Sequence, residues 1–148
     1  MLVYRFTSNS FENGLGFQLR YESSDSTHWS YSFGSYGGSF ENRNGILNSP
    51  NYPSSYQRVR RDYTYNISVP TINTVIVINF LRMDLPKGDD GSCNYELRSG
   101  ACCYYDYLEF RDGPNDDSPR LHSFVCGTEI PPPIISSQSQ LLMKQVNS

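Results

Sequence analysis

Short runs of alternating apolar and polar residues, closed by Gly, Pro or Asn, recur along this chain, and no apolar face keeps helical spacing long enough to cover a sheet. Tyr63, Tyr65, Ile67 and Val69 share one face of a segment that ends at Pro70, and Ile76, Ile78 and Phe80 share one face of the next. A period of two sends alternate side chains to opposite faces of an extended strand, so each segment offers an apolar face to a common core. Another strand starts at Tyr105, Tyr107, Leu108 and Phe110 and stops at Asp112-Gly113-Pro114. Further strands are expected over 121–125 and 141–146, with Pro131-Pro132-Pro133 barring a helix between them. Strands this short, with turn signals about every 8 to 12 residues, predict an all-β fold of the antiparallel β-sandwich type.

Two more alternating segments lie near the start: Leu2, Tyr4 and Phe6, then Phe17, Leu19 and Tyr21, joined by a turn that contains Asn13-Gly14. They read as the last two strands of a sheet domain whose beginning is absent. Residues 23–35 are rich in Ser and make the best linker, although Trp29, Tyr31 and Phe33 alternate within it and suit the seam between two units. The second unit runs from Tyr36, opening in a Gly-, Pro- and Asn-dense stretch that includes the turn step Asn44-Gly45.

Composition narrows the function classes. Twelve Lys plus Arg against fifteen Asp plus Glu leave a formal charge of −3, which gives the chain no claim on a phosphate backbone, so no nucleic acid is expected as partner. The longest apolar run, 75–81, is strand-sized and holds Asn79, far short of the roughly 20 residues a spanning helix needs, so no direct membrane insertion is expected. Cys93, Cys102, Cys103 and Cys126 cannot form two C-x-x-C pairs, which favours disulfides over zinc and hence an oxidising, extracellular setting. The N-terminus alternates and turns polar at once, unlike a secretory leader, so a piece of a longer protein is expected. His28 and His122 have no nucleophile arranged with them, and no catalytic motif is present, so no enzyme activity is expected.

Several blocks in order carry a resemblance: GGSFENRNGILNSPNYPSSY (37–56), YTYNISVP (63–70), INFLRMDL (78–85), CYYDYLEFRDG (103–113), FVCGTEIPPPIISSQS (124–139) and LLMKQV (141–146). Together they resemble a CUB domain. The resemblance implies an extracellular, jelly-roll-like β-sandwich over 36–148 that lacks its last strand, preceded by the C-terminal hairpin of another CUB domain over 1–22. It also implies a noncatalytic repeat of a tandem-CUB protein, most like the cubilin-type multiligand receptors of endocytosis, with the noncatalytic region of a secreted tolloid-like or complement-type protease, or a structural spacer, as alternatives. Extracellular protein ligands or neighbouring CUB modules are the implied partners, at the cell surface or beyond it. Phe17, Leu19 and Tyr21 also have the alternation of a closing strand, and a return through 22–35 would carry them to the open edge beside 141–146.

The family pattern further implies a disulfide between Cys103 and Cys126, leaving Cys93 and Cys102 to pair with each other. The family's other bridge is absent, because Tyr36 and Tyr63 stand in its place; the two rings either pack together or join the core separately. Calcium, which many CUB domains bind, is not the expected cofactor, since the three matching positions read Pro86, Asp106 and Ser148. A degraded site would have to recruit Asp84, Asp112 or the Asp89-Asp90 pair around Asp106, because a hard cation needs several converging oxygens. Asn66-Ile67-Ser68 is an acceptor for N-glycosylation, with Ile67 inward and Asn66 outward. Arg58, Arg60 and Arg61 form a small basic patch, a weak binding candidate.

Overall fold

The computed structural model describes residues 14–24, 31–34, 36–55, 61–86, 103, 106–122 and 124–146. Among them lie nine strands and no helix: β1 (Gly16–Ser23), β2 (Tyr31–Gly34), β3 (Gly38–Phe40), β4 (Asn44–Asn48), β5 (Tyr63–Ser68), β6 (Ile76–Asp84), β7 (Tyr107–Arg111), β8 (Ile134–Ile135) and β9 (Gln140–Val146). They form two sheets, β2-β4-β1-β6-β8 and β3-β5-β9-β7. The fold is the expected all-β sandwich. Pairing is antiparallel except at β2 with β4 and β3 with β5, which run parallel. A chain returning to the same edge direction after a crossover forces those two pairs, and alternation within a strand carries no sign of it.

The alternation of β5 is reproduced residue by residue, with Tyr63, Tyr65 and Ile67 buried and Thr64, Asn66 and Ser68 half-buried. In β6 it holds through Phe80 and then breaks, for both Leu81 and Arg82 are exposed. The register against β1 explains this: Gln18 faces Arg82 and Leu19 faces Phe80, so Leu81 is an extra residue in a bulge. Among the described residues of 121–125, expected as a strand, the one bridge is Val125 with Leu108, with Arg120 just before them bridging Arg111, so β7 is lined irregularly on its outer edge. Such cover protects an edge without extending the sheet.

Phe17, Leu19 and Tyr21 join this sandwich, but not at an open edge beside 141–146: β9 lies between β5 and β7, and β1 belongs to the other sheet. Residues 16–22 of the expected hairpin lie inside the sandwich, where β1 is antiparallel to β4 on one side and β6 on the other. Part of the expected 23–35 linker is β2, the outer strand of the same sheet. Residues 1–13, including Leu2, Tyr4 and Phe6, lie outside the described residues.

Phe17, Leu19 and Tyr21 are fully buried beside Leu47, Tyr65, Ile76, Ile78, Leu108, Phe110 and Met143. Complete burial of side chains this size is worth about 2 kcal/mol each, an upper estimate because unfolded chains already bury some surface. Three of them approach the whole net stability of an ordinary domain, roughly 5 to 15 kcal/mol. Rings tie the two sheets together across the core: Phe17 meets Tyr65 edge-on at 6.3 Å, and Phe80 meets Phe110 edge-on at 5.7 Å. The Tyr65 hydroxyl donates to the Asn48 carbonyl at 3.0 Å, and burial pushes its phenol pKa well up, because the phenolate would lose its hydration. Ser49 is also buried, and its Oγ accepts from the Phe17 amide at 3.0 Å, so β1 is pinned at its start by a polar contact as well as by packing.

Candidate protein-docking site at one end of the sandwich

Strand directions gather several sequence-predicted residues at one end. The end of β6 brings Asp84 and Leu85, the start of β7 brings Asp106, the start of β1 brings Leu15, and the start of β5 brings Arg61 and Tyr63. Leu85 pairs with Gly127 and Leu108 with Val125, so the segment 125–127 straps the two sheets together there. Cys126, in the middle of that strap, is joined to Cys103 by a disulfide with Cα atoms 5.7 Å apart. Cys93 and Cys102 lie outside the described residues, as do Asp89, Asp90, Arg58, Arg60 and Ser148.

The acidic residues do not form one ligand set. Asp84 Oδ2 accepts from the Leu15 amide at 2.8 Å, and a side chain at Gly14 would run into the Asp84 carbonyl oxygen, so the carboxylate serves as a clasp for the entry of β1. Asp106 is completely buried. Asp112 stands beyond the other end of β7, roughly 20 Å from Asp106 at the rise of a strand. Its carboxylate accepts from the Ser137 amide at 2.9 Å and the Ser137 hydroxyl at 2.6 Å, and its carbonyl accepts from Gln138 Nε2 at 2.9 Å. Asp112 is thus a turn-holding residue. No group of three His, Cys, Asp or Glu side chains among the described residues is placed to hold a metal ion. Pro86 stands where the family pattern places a carboxylate, and the described acids Asp84, Asp106 and Asp112 do not converge as the oxygens around a hard cation must.

The same end presents an aromatic and basic surface. Tyr36, 62% exposed, meets the buried Tyr63 ring edge-on at 6.1 Å, so the residues standing where the family carries a bridge do pack on one another. The Arg61 guanidinium lies 5.7 Å from the Tyr63 ring centre, within cation–π range. Nearby at the end of β4, a turn closed by Tyr52 N to Ser49 O and Asn51 Nδ2 to Ser55 O presents Asn51 and Tyr52, with Asn51 in the left-handed region at φ 66°. A Tyr-rich loop surface with an Arg and a pre-set backbone has the composition of protein-binding hot spots, and costs little ordering entropy on docking. In the sequence Arg61 stands out only as one member of a basic run, and the count of twelve tyrosines is the signal for the rest of this surface.

Behind this surface lies a polar layer that sequence alternation did not reveal. Gln145 takes a core position on β9 and is fully buried, and among the described residues neither of its side-chain polar atoms has a hydrogen-bond partner, nor does the Tyr63 hydroxyl. Gln145 pairs with Tyr63 on one side and Leu108 on the other. An amide in the inward phase of an apolar strand is the signal that could have marked it.

The model of the CUB domain matches residues 36–148. The chain is 32% identical over 146 residues to tolloid-like protein 2 of Mus musculus, covering 99% of this chain and 12% of that protein. It is 33% identical over 129 residues to the cubilin homolog of Drosophila melanogaster, covering 86% of this chain and 3% of that protein. It is 31% identical over 146 residues to procollagen C-endopeptidase enhancer 1 of Rattus norvegicus, covering 99% of this chain and 28% of that protein. The chain therefore spans a small fraction of each relative's length, and the likeness is shared across several multi-CUB proteins, which removes the preference for the cubilin type. Their common ground is an extracellular, noncatalytic module of the protein-binding kind, and no helix among the described residues is long and apolar enough to cross a membrane. On its family match and its two-sheet strand order, this chain belongs to the CUB domain family.

Proposed function

We propose that this module docks an extracellular protein for a secreted tolloid-like protease, using the surface formed by Tyr36, Tyr52 and Arg61. The observation that carries the reading is coverage: the likeness to tolloid-like protein 2 runs through 99% of the chain, β1 included, whereas that to the cubilin homolog covers 86%. Bone morphogenetic protein 1 of Xenopus laevis shares the same near-complete span at 32% identity. A rigid sandwich with contacts on its end loops suits a module that positions a large substrate for chemistry done elsewhere. The relative named as an enhancer of a procollagen endopeptidase makes procollagen the first probe. Immobilised module should bind procollagen saturably at physiological salt, and Arg61→Ala together with Tyr36→Ala should weaken it at least tenfold without lowering the melting temperature by more than a few degrees. Undiminished binding by the double variant would move the docking surface elsewhere. Reading the parent transcript separates the alternatives: a flanking HExxH protease domain supports this assignment, and uninterrupted CUB repeats restore the endocytic receptor.

A further inference from the structure

Asn66-Ile67-Ser68 occupies the second half of β5, between β3 and β9. Ile67 is turned into the core, 1% exposed, so the alternation of the strand places Asn66 and Ser68 on the outer face of the four-stranded sheet. Asn66 is half-buried, and among the described residues its side-chain amide takes part in no hydrogen bond, while Ser68 Oγ receives only a long contact of 3.5 Å from Gln140 Nε2. An amide nitrogen left unengaged on a sheet face is free to carry a substituent.

Beside it lies a cavity of about 160 Å³, lined by Ser39, Glu41, Asn66, Ser68, Pro114 and Gln140 among others. Pockets for independent small ligands start near 300 Å³, so this one is too small to hold such a ligand by its own contacts. It does suit a single sugar ring already tethered at its wall. Hydroxyl, carboxylate and amide groups from Ser39, Glu41 and Gln140 match the hydroxyls and acetamide of the ring, and Pro114 gives one apolar wall for its face. A covalent tether supplies the effective concentration that weak contacts lack. The loop that contributes Pro114 is itself held over this face, since Asp116 pairs with Lys144 of β9 at 2.5 Å.

We propose that Asn66 carries an N-linked glycan whose first N-acetylglucosamine sits in this cavity, closing the outer face of the four-stranded sheet to protein partners. The donor is a lipid pyrophosphate-linked oligosaccharide, met by the nascent chain before β5 pairs. Nδ2 of Asn66 forms a bond to C1 of the sugar, the C1–O bond to the pyrophosphate breaks, the amide gives up one proton, and the lipid pyrophosphate leaves. The Ser68 hydroxyl completes the acceptor sequence. The glycan and the docking surface are on different parts of the sandwich, so either assignment stands or falls without the other.

The test is secretion of the chain from a eukaryotic cell that also secretes a glycosylated control protein. Peptide mapping after treatment with peptide N-glycosidase should find Asn66 converted to Asp, and the intact mass should fall by one oligosaccharide. Asn66→Gln and Ser68→Ala should each abolish the glycan, and Ser68→Thr should keep it, which holds the test open if Asn66→Gln fails to fold. Seating is read by amide exchange: residues 39–41 and Gln140 should exchange at least several-fold faster once the glycan is removed. An unmodified Asn66 in protein secreted alongside the glycosylated control overturns the site. A glycan present with exchange unchanged on its removal overturns the seating.

Discussion

Replacing Leu19 by Ala tests whether β1 belongs to this sandwich. Leu19 is fully buried and faces Leu47 of β4 on one side and Phe80 of β6 on the other. The substitution removes three carbons, worth about 2.4 kcal/mol at about 0.8 kcal/mol each. Both flanking strands are held by their own ladders, so the gap cannot fully collapse, and a cavity term brings the expected loss to about 3 to 4 kcal/mol. For a chain of this size that is roughly 6 to 16 °C in melting temperature at about 2 to 4 °C per kcal/mol. The control is Gln18→Ala, one residue away on the outer face, which gives up only the partly buried bond from Gln18 Nε2 to Asn48 Oδ1 and should cost about 1 kcal/mol or less. Urea unfolding followed by far-UV circular dichroism should show a shifted midpoint with an unchanged slope for Leu19→Ala. Equal and small losses for both variants would refute the placement of β1 between β4 and β6.

Three other outcomes are expected. Cys103→Ser with Cys126→Ser should lower the unfolding free energy by about 3 kcal/mol, the loop-closure value for the 23-residue separation, as measured by urea titration against the oxidised chain. Because burial raises the Tyr65 phenol pKa above its unfolded value of 10.0, its contribution is complete below pH 10 and is lost as pH rises beyond it; Tyr65→Phe should flatten the decline of stability with pH in that alkaline range. One millimolar calcium should leave the melting temperature unchanged, and a clear rise that disappears in Asp106→Asn would show that a converging ligand set exists after all.

How far the sequence could be read depends on what each residue's neighbours along the chain reveal. Tyr63, Tyr65 and Ile67 announce β5 because a period of two is a local property, and the same holds for Ile76, Ile78 and Phe80 in β6. Partner choice is not local. Phe17, Leu19 and Tyr21 mark a strand but leave open which sheet receives it, and only the ladders to β4 and β6 decide. Tyr31 and Phe33 sit in a Ser-rich stretch whose composition reads as linker, yet the backbone finds a parallel partner in β4. Among site residues, Asp112 looked like Asp84 and Asp106 in composition, and strand direction separates it from them. The Tyr36–Tyr63 contact was one of two packings the residue types allowed, with orientation fixed only by the parallel run of β3 against β5.

The position of β1 also fixes an order of events during synthesis. Its ladder partners in β6 lie roughly 50 to 70 residues further along the chain, and β4, its other neighbour, comes sooner. At about 5 to 20 residues per second, Phe17, Leu19 and Tyr21 wait on the order of several seconds between leaving the ribosome and meeting Ile78, Phe80 and Met83. During that interval a strand destined for the middle of a sheet has at most one edge satisfied. The nascent chain is therefore at its most adhesive while β5 and β6 are being made, and a slower stretch of translation there lengthens the window in which a chaperone, or a second nascent chain, finds β1 first.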